Sequence, residues 1–265
     1  MSQDNTMNPY AAPAAELNTA TPSGEISFTE AKKLTAGEGI AIIADSWSLF
    51  KKAPIKWIVA FALFFIIMMA CNLLPIVGLV LSIFLPTLLA AGLHIGANEV
   101  SQGNAFRIGH LFAGFKQHVG ALIGLSFLYY VVVVAIMLAV FAMFGGVEFF
   151  MSTLVGSEQD PETLINAYKV FGLAYLIGLA LLLPVMAANW FAVPLIVLQD
   201  NGVFEALGKS FKTCFRNIIP LTIYSIVLLF LILVSMIPLG LGLLITFPMA
   251  FLTIYTGYRR IFTEM

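Results

Sequence analysis

Charged positions are missing from four long apolar stretches, and the lengths of those stretches predict the architecture. No Asp, Glu, Lys or Arg occurs between Lys56 and Glu99, Lys116 and Glu148, Lys169 and Asp200, or Arg216 and Arg259, gaps of 42, 31, 30 and 42 residues. A helix crossing the hydrocarbon of a bilayer needs about 20 apolar residues. The two outer gaps therefore accommodate helical hairpins and the two inner gaps single helices, an all-α polytopic membrane fold of six spans. The pattern places them at about 56–74, 77–98, 119–145, 169–198, 217–237 and 240–258. Pro75 with Gly78, and Pro238 with Gly240 and Gly242, break the outer hairpins. The fourth stretch is long, which predicts tilt or last turns that leave the hydrocarbon.

A second pattern precedes spans one, three and five, at about 38–52, 105–117 and 203–215. In the last, Phe204, Leu207, Phe211 and Phe215 share one helical face, with Glu205, Lys209, Lys212 and Arg216 opposite. The middle stretch aligns Ile108, Leu111, Phe112 and Phe115, with Arg107 and Lys116 near its ends, and the first aligns Ile40, Ile43, Trp47 and Phe50 ahead of Lys51 and Lys52. A helix with an aromatic face and flanking bases is expected to lie in the membrane interface. Trp47, Phe50, Lys51, Phe115, Lys116, Phe211, Phe215 and Arg216 are the candidate interface residues. Burial of each large side chain contributes about 1.5–3 kcal/mol and each base near anionic lipid about 1 kcal/mol, so aromatic burial dominates and charge selects the leaflet.

The even spans also match one another. Each carries an apolar residue followed by proline, at Leu85-Pro86, Leu183-Pro184 and Phe247-Pro248, with small residues after it. The chain thus reads as three repeats of an interfacial amphipathic helix plus a helical hairpin, in parallel orientation about an axis along the membrane normal.

Composition agrees with a membrane domain over 36–262: 60% hydrophobic and 10% charged residues, against about 45–50% and 25% in soluble domains. The basic residues border the first, second-to-third, fourth-to-fifth and last connections, whereas the loop after span three holds Glu148, Glu158, Asp160 and Glu162. Because cytoplasmic loops retain Lys and Arg, both termini are expected in the cytoplasm. Residues 1–35 show no apolar period and read as a disordered polar tail and not a secretory leader. Its Asn8-Pro9-Tyr10 is either a short docking motif or an ordinary Pro-containing linker. Cys71 and Cys214 fall near opposite membrane faces, which argues against a disulfide between them.

Chemistry is sparse. No catalytic constellation, phosphate loop, cofactor motif or metal-ligand spacing is evident, and no Asp, Glu, Lys or Arg lies in a span interior. His94 near the inner end of span two reads as interfacial, and His110 and His118 are spaced too far apart to share a helix face. Pro86, Pro184 and Pro248 are expected to kink their helices. Three such kinks around one axis either line a cavity, with Ser82 and Asn189 as its polar groups, or simply pack. Basic residues alternating with aromatics also occur in nucleic-acid-binding segments, but these adjoin spans directly, so anionic lipid at the cytoplasmic face is the expected partner and nucleic acid is not.

The chain resembles an uncharacterised family of bacterial six-span inner-membrane proteins known only by a locus-tag name. The likeness rests on Asn8-Pro9-Tyr10, Ser46-Trp47-Ser48-Leu49-Phe50-Lys51, Gly109-His110-Leu111-Phe112-Ala113-Gly114-Phe115 and Pro238-Leu239-Gly240-Leu241-Gly242. More distantly it is similar to the membrane domain attached to some glycerophosphodiester phosphodiesterases, a likeness that carries over no catalytic residue. The nearer resemblance implies a six-span inner-membrane protein without known activity. The leading expectation is a non-enzymatic membrane organiser or lipid- or partner-binding protein, the alternative a small transporter or lipid-translocating protein using the kinked spans.

Overall fold

The computed structural model describes residues 31–154 and 161–264, and among these no strand forms. Helices α1 (Ala36–Lys51), α2 (Pro54–Asn72) and α3 (Pro75–Ser101) lead into a 3-10 helix (Ile108–Phe115). Then come α4 (Val119–Met143), α5 (Gly146–Leu154), α6 (Pro161–Trp190), α7 (Ala192–Gln199), α8 (Val203–Arg216), α9 (Ile218–Met236) and α10 (Leu243–Phe262). The Asn8-Pro9-Tyr10 motif and the acids Glu158 and Asp160 lie outside the described residues.

Local chemistry sets the breaks. Pro54 and Pro75 begin α2 and α3, where a preset φ helps and the missing N–H costs nothing. The α2–α3 turn is so tight that a Cβ on Gly78 would sit 1.8 Å from the Cys71 carbonyl oxygen. Between α9 and α10 the chain reverses through Leu239 and Gly240, both at positive φ (55° and 77°).

Among the described residues, five helical segments are long and apolar enough to cross a membrane: Pro54–Asn72, Pro75–Ser101, Val119–Met143, Ile165–Gln199 and Ile218–Met236. Helix α10 is not among them, because Arg259 and Arg260 together with Thr253, Tyr255, Thr256 and Tyr258 make it less apolar. The hydroxyls of Thr253, Tyr255 and Thr256 find partners inside the bundle. Tyr224 Oη and Thr253 Oγ1 are 2.8 Å apart, and Thr256 Oγ1 donates to the Ile42 carbonyl at 3.0 Å.

The core gathers at one end of the bundle, called here the basic end because Lys52, Arg107, Lys116, Arg216 and Arg259 cluster around it. Most of α3 beyond Leu88, Ala192 to Val197 of α7 and most of α10 beyond Pro248 are buried there. Trp57 and Phe106 stack at 4.0 Å between centroids, and Phe191 meets Phe262 at 6.2 Å. Away from that end Met69, Leu79, Phe127, Leu138, Leu176 and Phe230 face outward. Water-soluble bundles rarely present so continuous an apolar surface, so hydrocarbon is the fitting surround.

Helix α1, the 3-10 helix and α8 each pack mainly on helices other than the one that follows them in sequence. Helix α1 lies on α9 and α10, the 3-10 helix on α3, and α8 on α6. Glycines permit the approach: a Cβ on Gly39 would meet Pro220 O at 2.3 Å, and one on Gly92 would meet Leu111 O at 2.3 Å.

Several expectations need correction. The polar tail expected over 1–35 is held from residue 31. The Lys32 amide donates to Ile261 O at 2.9 Å, and Leu34 N–H donates to Asn217 Oδ1 at 2.7 Å. An extended segment docked through its backbone has no side-chain period to detect. Phe50 is not an interface residue, since α1 turns it into the core at 3% exposure while Trp47 stays out at 42%. In the middle segment three residues per turn replace 3.6, which separates buried Leu111 from half-exposed Phe112 and Phe115. His94 is buried and stacks on Phe251 at 4.7 Å, not at an interface.

Candidate functional site

Helix α8 has three faces. Ala206, Ser210 and Thr213 are buried against its neighbours. Phe204, Phe211 and Phe215 point outward, the last two with rings 4.6 Å apart. Glu205, Lys209, Lys212 and Arg216 are exposed on the remaining face. Lys209 bonds Glu205 at 2.7 Å and Asn201 at 3.0 Å, and its hydrogen bond holds the Glu205 carboxyl below the usual carboxylate range. Arg216 donates to Ala31 O at 3.1 Å.

The buried face bends the long apolar helix beneath it. Pro194 lacks an N–H and its ring displaces the carbonyl four residues earlier, so the helix breaks at Phe191 between α6 and α7. Ser210 enters the gap: its hydroxyl accepts from Phe191 N–H at 3.0 Å and donates to Ala187 O at 2.7 Å.

Because α8 holds α6 while α9 packs on α1 and α10, a gap opens between α6 and α9. It is a groove of about 590 Å³, open to the surroundings. Leu183, Met186 and Trp190 form one wall, Leu221, Ile226 and Leu229 the other, and Cys214 with Phe215 closes the basic end. The hydroxyls of Thr222 and Ser225 also line it but donate to their own helix at Ile218 O and Leu221 O, 2.7 and 2.8 Å. The surface offered is therefore apolar. Burial pushes the Cys214 thiol up to about 11, so it is not a nucleophile at neutral pH. A second apolar hollow of about 660 Å³ lies between α4, α5 and α6 at the opposite end, lined by Met137, Phe141, Phe149, Phe171 and Tyr175.

The predicted site residues scatter. Pro184 is exposed, Pro86 half-buried and Pro248 buried, so the three kinks do not share one inward-facing environment. Ser82 donates to Leu79 O at 2.7 Å, and neither it nor Asn189 lines the groove. Lys51 Nζ lies 5.9 Å from the Trp47 ring centroid, and Trp47 stacks on Phe50 at 5.7 Å. Phe115, Lys116, Phe211, Phe215 and Arg216 are outward-facing. His118 Nδ1 lies 3.3 Å from Asp200 Oδ1, and burial pulls the His110 imidazole below its usual range. No group of three or more His, Cys, Asp or Glu suited to a metal ion occurs among the described residues.

Sequence reading missed a polar cleft of about 180 Å³ at the basic end, where Asp45, Ser48 and Lys52 of the α1 end face Ser101, Tyr255 and Arg259. Arg260 pairs with Asp45. Ser101 Oγ and Tyr255 Oη are 2.8 Å apart, and Tyr255 donates to Asn98 Oδ1 at 3.0 Å. The available signal was Tyr255 and Arg259, one helical turn apart in an otherwise apolar helix.

An all-helical bundle with five membrane-length apolar helices and an outward apolar belt is an integral membrane protein. The chain is similar to a protein of Burkholderia thailandensis named "probable inner membrane protein", 28% identical over 183 residues that cover 67% of each chain. No family model matches the chain. No solved structure matches it.

Proposed function

We propose that this is a six-span protein of the bacterial inner membrane that holds phospholipid along its α6–α9 face and acts as a membrane organiser without catalysis. The groove carries the reading. Its walls are apolar along facing parts of two spans, Leu183 to Trp190 and Leu221 to Leu229, and exposed Lys212 with Arg216 stands beyond Phe215 at the end where an anionic headgroup would lie. The aromatic face of α8 seats that helix at the same level. Transport would call for an opening beside Ser82 and Asn189, and the groove is elsewhere.

Helix α10 supplies the sixth span. Its 20 residues extend about 30 Å at 1.5 Å per residue, and its polar side chains are sheltered inside the basic end of the bundle. The cyclic packing, each amphipathic segment on the preceding unit's hairpin, supports the three-unit repeat. The basic end faces the cytoplasm by the positive-inside rule, which puts both ends of the described chain there. The relative's name supports the inner membrane as the location.

Mass spectrometry of lipid retained after mild extraction tests the reading. Thr222→Phe with Ser225→Phe fills the groove from exposed positions. Retained phospholipid should fall by at least half with the fold intact, and unchanged retention would contradict the proposal.

A further inference from the structure

We propose that the cleft between α1, α3 and α10 binds a phosphate group, presented by an anionic lipid headgroup or by a soluble phosphate ester. It is built from different helices than the α6–α9 groove and does not depend on it.

The cleft offers room, charge and unengaged donors together. Its volume of about 180 Å³ is more than ten times the ~10–15 Å³ that one water requires. Lys52 carries three N–H donors, one of which goes to Val100 O at 3.2 Å. Arg259 brings its guanidinium to the wall beside Tyr255. An oxyanion is the ligand that its planar fork fits best. The acid in the wall, Asp45, is engaged by Arg260 and so neither repels an anion fully nor neutralises Lys52 and Arg259. Ser48 and Tyr255 add hydroxyls at the rim and floor. The site stands where α3 and α10 end, the level of lipid headgroups in the proposed orientation, yet it is also reachable from the aqueous side through exposed Ser48 and Lys52.

The test uses the full chain in two settings. Inorganic phosphate is titrated by calorimetry into delipidated protein in detergent, and phosphatidic acid retention is measured by native mass spectrometry from nanodiscs containing it in phosphatidylcholine. Lys52→Gln and Arg259→Gln should each weaken binding about tenfold or more. Ser48→Trp, which blocks the cleft from an exposed wall position, should do the same without removing a charge, and covers the case in which Arg259→Gln fails to fold. Lys33→Gln, an exposed cation outside the cleft, should leave binding unchanged. Binding of inorganic phosphate that follows this pattern identifies a soluble phosphate as a sufficient ligand. Phosphatidic acid retention that follows it without phosphate binding identifies the headgroup. Absence of both, or equal weakening by Lys33→Gln, overturns the proposal.

Discussion

Ser210 replaces a missing rung in the backbone ladder of another helix: its hydroxyl receives the Phe191 N–H at 3.0 Å and passes a hydrogen bond to Ala187 O at 2.7 Å. This contact ties α8 to the bend between α6 and α7, and the bend sets one wall of the groove. Ser210→Ala would strand a buried amide, at a cost of about 1–3 kcal/mol. Thermal unfolding in detergent should show the loss, and Thr222→Ala, whose hydroxyl bonds only its own helix, should stay near wild type.

The seat of α1 on α9 predicts opposite outcomes for two neighbouring glycines. A Cβ on Gly39 would meet Pro220 O at 2.3 Å, whereas one on Gly37 meets nothing within 4 Å. Gly39→Ala should destabilise by about 1–3 kcal/mol through overpacking against backbone. Gly37→Ala should be neutral or stabilise by up to about 1 kcal/mol, since Ala is the better helix former. Melting temperatures of the two variants compare them directly.

These two cases show what the sequence made legible. The charge gaps revealed the long helices because hydrocarbon excludes charge, and the aromatic and basic faces of α8 were readable because each repeats at helical spacing. The face holding Ser210 was not, because small residues facing a neighbouring backbone leave no hydrophobic period. Phe50 misled for a related reason: outward and inward aromatics look alike in a helix wedged between protein and membrane. The polar cleft was not legible because Lys52 read as a base flanking an interfacial helix and Arg259 as the border of an apolar stretch, and nothing in the spacing joins the two.

Acid should loosen the start of α1. Glu38 accepts from the Thr35 N–H at 2.6 Å and from its hydroxyl at 2.8 Å. The backbone bond first, and then the hydroxyl, hold the carboxyl below its ordinary 4.5. A depressed folded-state pKa gives stability that is complete above the unfolded value and is lost as pH falls through the folded one. The melting-temperature gap between wild type and Glu38→Gln should therefore be present at neutral pH and narrow below 4.5. A gap independent of pH would contradict this role.

Sidedness has its own check. With Cys71 and Cys214 replaced by serine, single cysteines at positions 148 and 162 should react with an impermeant maleimide added to intact spheroplasts. Cysteines at 52 and 209 should react only after permeabilisation. The reverse pattern would contradict the orientation, and labelling of 209 together with 148 on one side would contradict the six-span count.

The groove itself is tested most directly by photocrosslinking with a phospholipid that carries a diazirine on its acyl chain, followed by peptide mapping. The account predicts adducts concentrated on the α6 and α9 peptides that hold Leu183 to Trp190 and Leu221 to Leu229, and their loss in Thr222→Phe with Ser225→Phe. Adducts spread over all outward-facing helices in proportion to their exposure, unchanged by that double substitution, would contradict it.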